Sequence, residues 1–261
     1  MERSAYEREL LALEVEVIHG LVPGRGGELP TVTDPSVLAV QAWSPGACVR
    51  ASGAKADGWG ARRSDGCEAP VGTEQRYAPG EPPDILVRLA AARAGAGDPA
   101  ELRGGPCFTF PPRPADDFPW PLPLLLSDAE GRRAARRLTR PDNWQPGEWA
   151  ELISGAAGEW AMAVRDGEPV SICHTPAAND RAAEAGVWTR PDFRGRGLAP
   201  AVTDAWARRE GCHRQTLFYS TTADNHASRA VARKLGLTPL GWIWTVRRAP
   251  ARTGSLIRPG I

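Results

Sequence analysis

The sequence predicts an α/β fold, and the regular part of its pattern lies in the C-terminal half. Strand-like and helix-like segments alternate there, Asp166-Gly167 is a strong hairpin turn, and a basic glycine loop at 194–197 joins a strand to a helix. The first 110 residues carry a weaker pattern of helices and strands. We therefore expect an α/β domain that follows a less regular N-terminal α+β segment.

Composition and charge exclude several classes of protein. The chain has 261 residues, of which 42% are hydrophobic and 24% are charged, as is typical of soluble globular proteins. The net charge of +1 favours neither a nucleic acid nor a membrane surface as a partner. The charged N-terminus has no apolar leader pattern, and no window approaches the ~18 apolar residues of a membrane span, so we expect a cytoplasmic protein.

The cysteines favour the same compartment. There are five of them, an odd number, and no pair has the spacing of a metal site. We therefore expect reduced thiols and no bound metal.

The pattern divides the chain into four parts. Residues 1–110 form an N-terminal segment, 111–126 a proline-rich linker, 127–248 the well-patterned domain and 249–261 a tail. The elements predicted in the first part are a helix at 6–19, a strand at Val37–Trp43 with a hairpin partner at 47–51, a long loop at 52–83, a helix at 85–94 and a strand at 107–110. No group of residues in this part is typical of a catalytic site, and we interpret it as a packing or dimerisation segment.

Apolar spacing and turn residues predict the elements of the C-terminal part. The stretch from Ser127 to Glu130 has the pattern of a capping box and opens a helix that runs to about residue 139. The other predicted elements are a short helix around 149–153, strands at 160–165, 170–174 and 187–189, a helix from 198 that stops at Gly211, a strand at 216–220, a helix at 227–235 that Gly236 ends, and a strand at 240–246.

The glycine loop at 194–197 predicts a site for an anion. A helix that begins at Leu198 leaves its first N–H groups unpaired, and its dipole adds positive potential there. Gly195 and Gly197 let a ligand approach the backbone, while Arg194 and Arg196 offer donors that suit phosphate oxygens. A diphosphate would fit this pattern, and an ordinary solvated turn is the alternative. Neither the spacing of a dinucleotide fold nor a Walker lysine is present.

Two motifs resemble the GNAT superfamily of N-acetyltransferases. Residues 194–199, Arg-Gly-Arg-Gly-Leu-Ala, are similar to the family's Arg/Gln-x-x-Gly-x-Gly/Ala signature, and 224–228 with 234–237 resemble its next helix and the end of that helix. The resemblance covers 108–248. It implies a mixed central sheet flanked by helices, acetyl-CoA as co-substrate and transfer of the acetyl group to a primary amine of a small molecule. The alternatives are a module that binds acyl-CoA without catalysis and a protein N-acetyltransferase.

The resemblance also implies which residues bind the co-substrate. The loop residues Arg194, Gly195, Arg196, Gly197, Leu198 and Ala199 would hold the pyrophosphate, and the backbone of Val187, Trp188 and Thr189 would bind the pantetheine. Asn225 caps the next helix and, with Ser228, would also contact the co-substrate. Some members of the family carry a degenerate second half, which is the alternative interpretation of residues 1–110.

Three residues are candidates for proton transfer. Glu184 stands where many members place a glutamate base, although a glutamate facing solvent at a sheet edge is an equal alternative. His174 lies on the preceding strand and titrates near neutrality, but a structural role is the commoner one for such a histidine. Ala232 replaces the family's usual tyrosine acid, and Tyr219 is the nearest tyrosine in sequence. Trp144, Trp149 and Trp188 lie in or next to segments that frame the acceptor site in the resembled fold, although core packing is the commoner role of a tryptophan.

Overall fold

The computed structural model describes residues 2–24, 28–54, 76–111 and 120–249. The chain divides into two compact units. The first contains 1–107, 221–225 and 239–255, and the second contains 108–220, 226–238 and 256–261. The domain limits that the sequence suggests stay a prediction.

Six helices and eleven strands lie in the described part of the chain. The helices are α1 (Glu2–His19), α2 (Asp84–Gly95), α3 (Ala129–Ala135), α4 (Pro146–Ser154), α5 (Leu198–Glu210) and α6 (His226–Lys234). The strands are β1 (Leu21–Val22), β2 (Thr31–Val32), β3 (Val37–Trp43), β4 (Cys48–Gly53), β5 (Ala100–Thr109), β6 (Leu124–Leu126), β7 (Trp160–Arg165), β8 (Glu168–Ala178), β9 (Ala182–Thr189), β10 (Thr216–Ser220) and β11 (Thr238–Arg248).

The first unit is built around strand β3. Its strands follow the order β1-β2-β4-β3-β11-β5, and β3 is antiparallel to both of its neighbours. All seven residues of β3 are buried, and the one polar residue among them, Gln41, accepts a hydrogen bond from Arg50 at 3.1 Å. The core contains Trp43, Trp242 and Trp244, and Leu86 places α2 against it. This unit therefore has a genuine hydrophobic core in spite of its weak sequence pattern.

The second unit is a mixed sheet flanked by helices. Its strands follow the order β6-β7-β8-β9-β10, all antiparallel except the parallel pair β9 and β10. Alternate residues of β7 enter two different cores. Ala161 and Ala163 pack with α5, whereas Trp160 and Met162 pack with α4. The sheet therefore separates a face covered by α5 from a face covered by α3 and α4.

The fold class predicted from the sequence is confirmed, and so are several elements. β3 and β10 have the predicted bounds, α5 begins at Leu198, and the turn at Asp166 and Gly167 has the positive φ angles, 53° and 78°, of a tight hairpin. β5 is longer than the predicted strand at 107–110, and 124–126, which we placed in the linker, form β6. The structure does not describe 55–75 of the predicted loop, 112–119 of the linker or 250–261 of the tail.

The predicted capping box at the start of α3 is wrong. Asp128 is the N-cap, and its carboxylate accepts a hydrogen bond from the N–H of Gly131 at 2.8 Å. The hydroxyl of Ser127 is buried and donates instead to the carboxylate of Glu159. The helix ends at Ala135, before the predicted end near residue 139.

Cysteine state and membrane spans were also expectations from the sequence. Cys107, Cys173 and Cys212 are free thiols, but Cys48 is disulfide-bonded, so the expectation of reduced thiols is wrong for that residue. None of the helices that the structure describes has both the length and the apolar character to cross a membrane.

Candidate active site

The glycine loop forms an open start for helix α5. A 3₁₀ turn at Pro191–Phe193 follows β9, and Gly195 and Gly197 then adopt φ angles of 76° and 78°, which favour glycine. Among the described residues, a Cβ at Gly195 would have no atom within 4 Å, and one at Gly197 would meet Cγ of Pro121 at 3.6 Å. None of the described side chains caps this 13-residue helix. Its first N–H groups therefore face free space with positive potential, which fits a diphosphate.

The arginines around the loop hold the loop itself. The guanidinium groups of Arg190 and Arg196 lie over the ring of Phe193, 4.5 and 4.7 Å from its centroid. Arg190 forms ion pairs with Asp192 and Glu168, both at 2.8 Å, while Arg196 donates to the carbonyl of Asp192 at 3.0 Å. Sequence reasoning missed Arg190 and Phe193, because each looks like an ordinary surface residue outside this geometry.

Strands β9 and β10 separate beside this loop. Their register pairs Ala182–Glu184 with Thr216–Phe218 and continues no further. On the other side, β9 remains paired with β8 as far as Thr189. The backbone of Val187, Trp188 and Thr189 therefore has one edge that no described strand covers. An extended ligand with polar groups could form hydrogen bonds with the backbone along this edge.

Glu184 lies where the two strands separate. Its side chain is 0% exposed, and Oε1 accepts hydrogen bonds from the N–H and the hydroxyl of Ser220 at 2.6 and 2.8 Å. Oε2 is buried, and none of the described residues donates to it. Burial raises the pKa of Glu184 to about 7, against the two Ser220 hydrogen bonds, which lower it. The alternative of a solvent-facing edge glutamate is therefore wrong, because β9 lies inside the sheet.

His174 shares a face of the sheet with Glu184. His174 is paired across the strands with Gly186, and a Cβ on Gly186 would lie 2.7 Å from Nε2 of the imidazole. The ring of Trp144 meets the imidazole edge-on, with centroids 5.0 Å apart. Burial lowers the pKa of His174 to about 4, so the ring is neutral at neutral pH.

The three tryptophans lie partly on the face of the sheet that carries His174 and partly in the core. Trp144 and Trp188 are half-buried and flank the face that carries His174. Trp149 is 7% exposed and packs in the core with Leu152, which is the alternative of core packing. Position 186 must be glycine because a Cβ there would collide with the imidazole of His174, and sequence reasoning missed this requirement.

Tyr219 lies on the opposite face from Glu184. It is 2% exposed in the core beneath α5, and its hydroxyl lies 2.7 Å from Oγ of Ser228 in the first turn of α6. Burial raises the pKa of Tyr219 above its ordinary value, so the phenol stays protonated. Ala232 is fully buried in the same core, and Asn225 directly precedes α6 in the N-cap position. The structure thus places Glu184 and His174 on one face of the sheet and pairs Tyr219 with Ser228.

Comparison with known proteins gives one family match. Residues 111–238 match the model of the acetyltransferase (GNAT) domain. Solved structures that resemble the chain include GNAT acetyltransferases from Novosphingobium aromaticivorans (19% identity, 57% of this chain, 66% of that chain, TM-score 0.43) and Colwellia psychrerythraea (15%, 57%, 57%, 0.43), and a tandem GNAT protein from the clavulanic acid biosynthesis pathway (18%, 67%, 62%, 0.39). This chain therefore spans less than two thirds of their lengths. No curated protein matches it.

Proposed function

Because residues 111–238 belong to the GNAT acetyltransferase family, we propose that this chain transfers an acetyl group from acetyl-CoA to a primary amine of a small molecule. The observation that carries the proposal is the separation of β9 from β10 directly beside the open start of α5. Acetyl-CoA supplies the activated acetyl group as a thioester. The loop at 194–199 would hold its pyrophosphate, the free edge of 187–189 its pantetheine, and Ser228 is a further contact.

Glu184 is the residue that we assign to remove the proton from the amine. Its pKa near 7 places a large fraction of the carboxylate in the basic form at neutral pH while the conjugate acid remains accessible. Oε2 is the oxygen without a described donor, so it can accept a proton directly or through water. The carboxylate also attracts a cationic amine, because a buried charge is weakly screened.

The wall beside Glu184 supports a small acceptor with a flat or apolar body. The wall consists of the half-buried rings of Trp144 and Trp188 and the neutral imidazole of His174. Aromatic faces bind apolar groups and cations, and a neutral imidazole does not repel an ammonium. We propose that His174 shapes this wall and does not exchange protons near neutral pH.

Tyr219 is the residue that we assign to protonate the departing thiolate. Its phenol is protonated and forms a hydrogen bond with Ser228 in the first turn of α6. The same helix carries Ala232 at the position where the family usually has a tyrosine. Burial makes this phenol a weaker acid than a free tyrosine, and a thiolate is a tolerable leaving group, so the proton adds to the rate without being indispensable.

The second candidate function is a module that binds acyl-CoA without catalysis. The observation that favours it is the buried Ala232, which leaves α6 without the family's usual acid. Binding of acetyl-CoA would be common to both functions, and only the release of free CoA in the presence of an amine separates them.

Detection of free thiol with a panel of amines tests the proposed function. We expect amine-dependent release of CoA by the wild type, and we expect Glu184→Gln to lower kcat by about 10²–10⁴-fold, the usual contribution of a positioned base. The dissociation constant of acetyl-CoA should not change, because the carboxylate faces the amine. Glu151→Gln, which replaces an exposed glutamate of α4, is the matched control. Wild-type turnover in Glu184→Gln would remove this residue from the site.

A further inference from the structure

Both hydrogen bonds that reach the Glu184 carboxylate come from one residue. The N–H of Ser220 lies 2.6 Å from Oε1, and its hydroxyl oxygen lies 2.8 Å from the same atom. Ser220 is the last residue of β10, two positions beyond Phe218, the residue at which the β9–β10 register ends. Its N–H therefore points at the side chain of Glu184 in place of a backbone carbonyl of β9.

This arrangement makes the two carboxylate oxygens inequivalent. A carboxylate oxygen has two lone pairs, and two donors occupy both of them on Oε1. Oε2 is buried without a donor among the described residues, so it keeps its full capacity to accept a proton. A half-turn of the carboxylate exchanges its two equivalent oxygens, so the two bonds to Ser220 hold one oxygen and fix the position of the other.

We propose, on the basis of the function proposed above, that Ser220 is a positioning residue that holds Oε1 of Glu184 and presents Oε2 to the acceptor amine. The hydroxyl stabilises the ionised form of the carboxyl group, and it opposes the burial that favours the protonated form. Ser220 therefore sets both the direction and the proton affinity of the base.

Three other titratable groups of the described residues, Cys173, Tyr219 and His174, lie on the strands around Glu184 and carry no charge at neutral pH. The Cys173 thiol on β8 and the Tyr219 phenol on β10 both interact electrostatically with Glu184, and burial raises the pKa of each above its ordinary value. His174, on the same face, is neutral because burial lowers its pKa to about 4. The hydrogen bonds from Ser220 are thus the interactions of the described residues that favour the carboxylate.

The test is an infrared titration of the full chain without any substrate, in which Glu184→Gln identifies the carboxyl band of Glu184. We expect Ser220→Ala to raise the pKa of that band by about one pH unit, because one charge-assisted hydrogen bond is lost and the N–H bond remains. Ser220→Thr keeps the hydroxyl and should restore the wild-type value. Ser154→Ala, which removes an exposed hydroxyl on α4, should leave the band unchanged.

Kinetics with a confirmed acceptor give the second measurement. The acidic limb of the pH profile of kcat/KM should move upward with the infrared value in Ser220→Ala, while the KM for acetyl-CoA stays constant. An unchanged infrared pKa in folded Ser220→Ala would overturn the proposal, and so would a limb that stays in place when the infrared pKa moves. Failure of the wild type to release CoA with any amine would refute the proposed function, and the infrared titration would still decide whether Ser220 controls Glu184.

Discussion

Glutamine at position 184 should remove a pH-dependent loss of stability that the wild-type protein carries. Glu184 is fully buried, and its pKa rises from an ordinary value of 4.5 to about 7 in the folded protein. A carboxyl group whose pKa is raised in the folded protein stabilises the fold at pH values below its pKa in the unfolded chain. This contribution is lost as the pH rises through its pKa in the folded protein. The difference of about 2.5 pH units corresponds to a loss of about 3 kcal/mol at alkaline pH.

The glutamine of Glu184→Gln keeps an oxygen that can accept the hydrogen bonds from Ser220, but its amide group cannot ionise. The free energy of unfolding of the variant should therefore lack the pH-dependent contribution of Glu184. Between about pH 5 and about pH 9, the free energy of unfolding of the wild type should fall by about 2–3 kcal/mol more than that of the variant. Urea denaturation of both proteins at both pH values measures the difference. Contributions from all other titrating groups are common to the two proteins and cancel. Parallel pH profiles would refute the conclusion that Glu184 titrates inside the folded protein.

Two further predictions concern the co-substrate site and the acid. Gly197→Glu should abolish acetyl-CoA binding in calorimetry, because it places a negative side chain at the start of α5. Because φ at this position is 78°, the substitution should also strain the backbone and lower the stability by about 1–2 kcal/mol. Gly97→Ala, at a glycine outside the loop with a φ of 76° and no described atom within 4 Å of its Cβ, is the control for strain alone. Retained affinity in folded Gly197→Glu would show that the loop is not the binding site. Tyr219→Phe should lower kcat by about 10-fold or more and spare the acetyl-CoA dissociation constant; equal turnover numbers would leave Tyr219 with a packing role only.

The sequence was informative where local chemistry decides the structure. The apolar stripe of α5, the hairpin at Asp166 and the glycines at 195 and 197 each follow from short-range rules, and the structure confirms them. The start of α3 was mispredicted because Ser127 and Asp128 both suit an N-cap. The choice depended on Glu159, a partner 32 positions away.

The site depended on contacts that no spacing reveals. The burial of Glu184, its bonds to Ser220 and the end of the β9–β10 register arise from the pairing of strands that are far apart in sequence. The same holds for Gly186, whose missing side chain makes room for His174. Sequence reasoning could therefore select Glu184 as a candidate base. Only the fold shows that its carboxylate is buried and that Ser220 holds one of its two oxygens.

Mass analysis of the acceptor tests the central claim most directly. Incubation of the wild-type chain with acetyl-CoA and an amine that stimulates CoA release should give an amine that carries one acetyl group, formed in equal amount to the free CoA. Glu184→Gln should form this product at a rate lower by about 10²–10⁴-fold, while it still binds acetyl-CoA. Binding of acetyl-CoA by the wild type without an acetylated amine from any member of the panel would contradict the account.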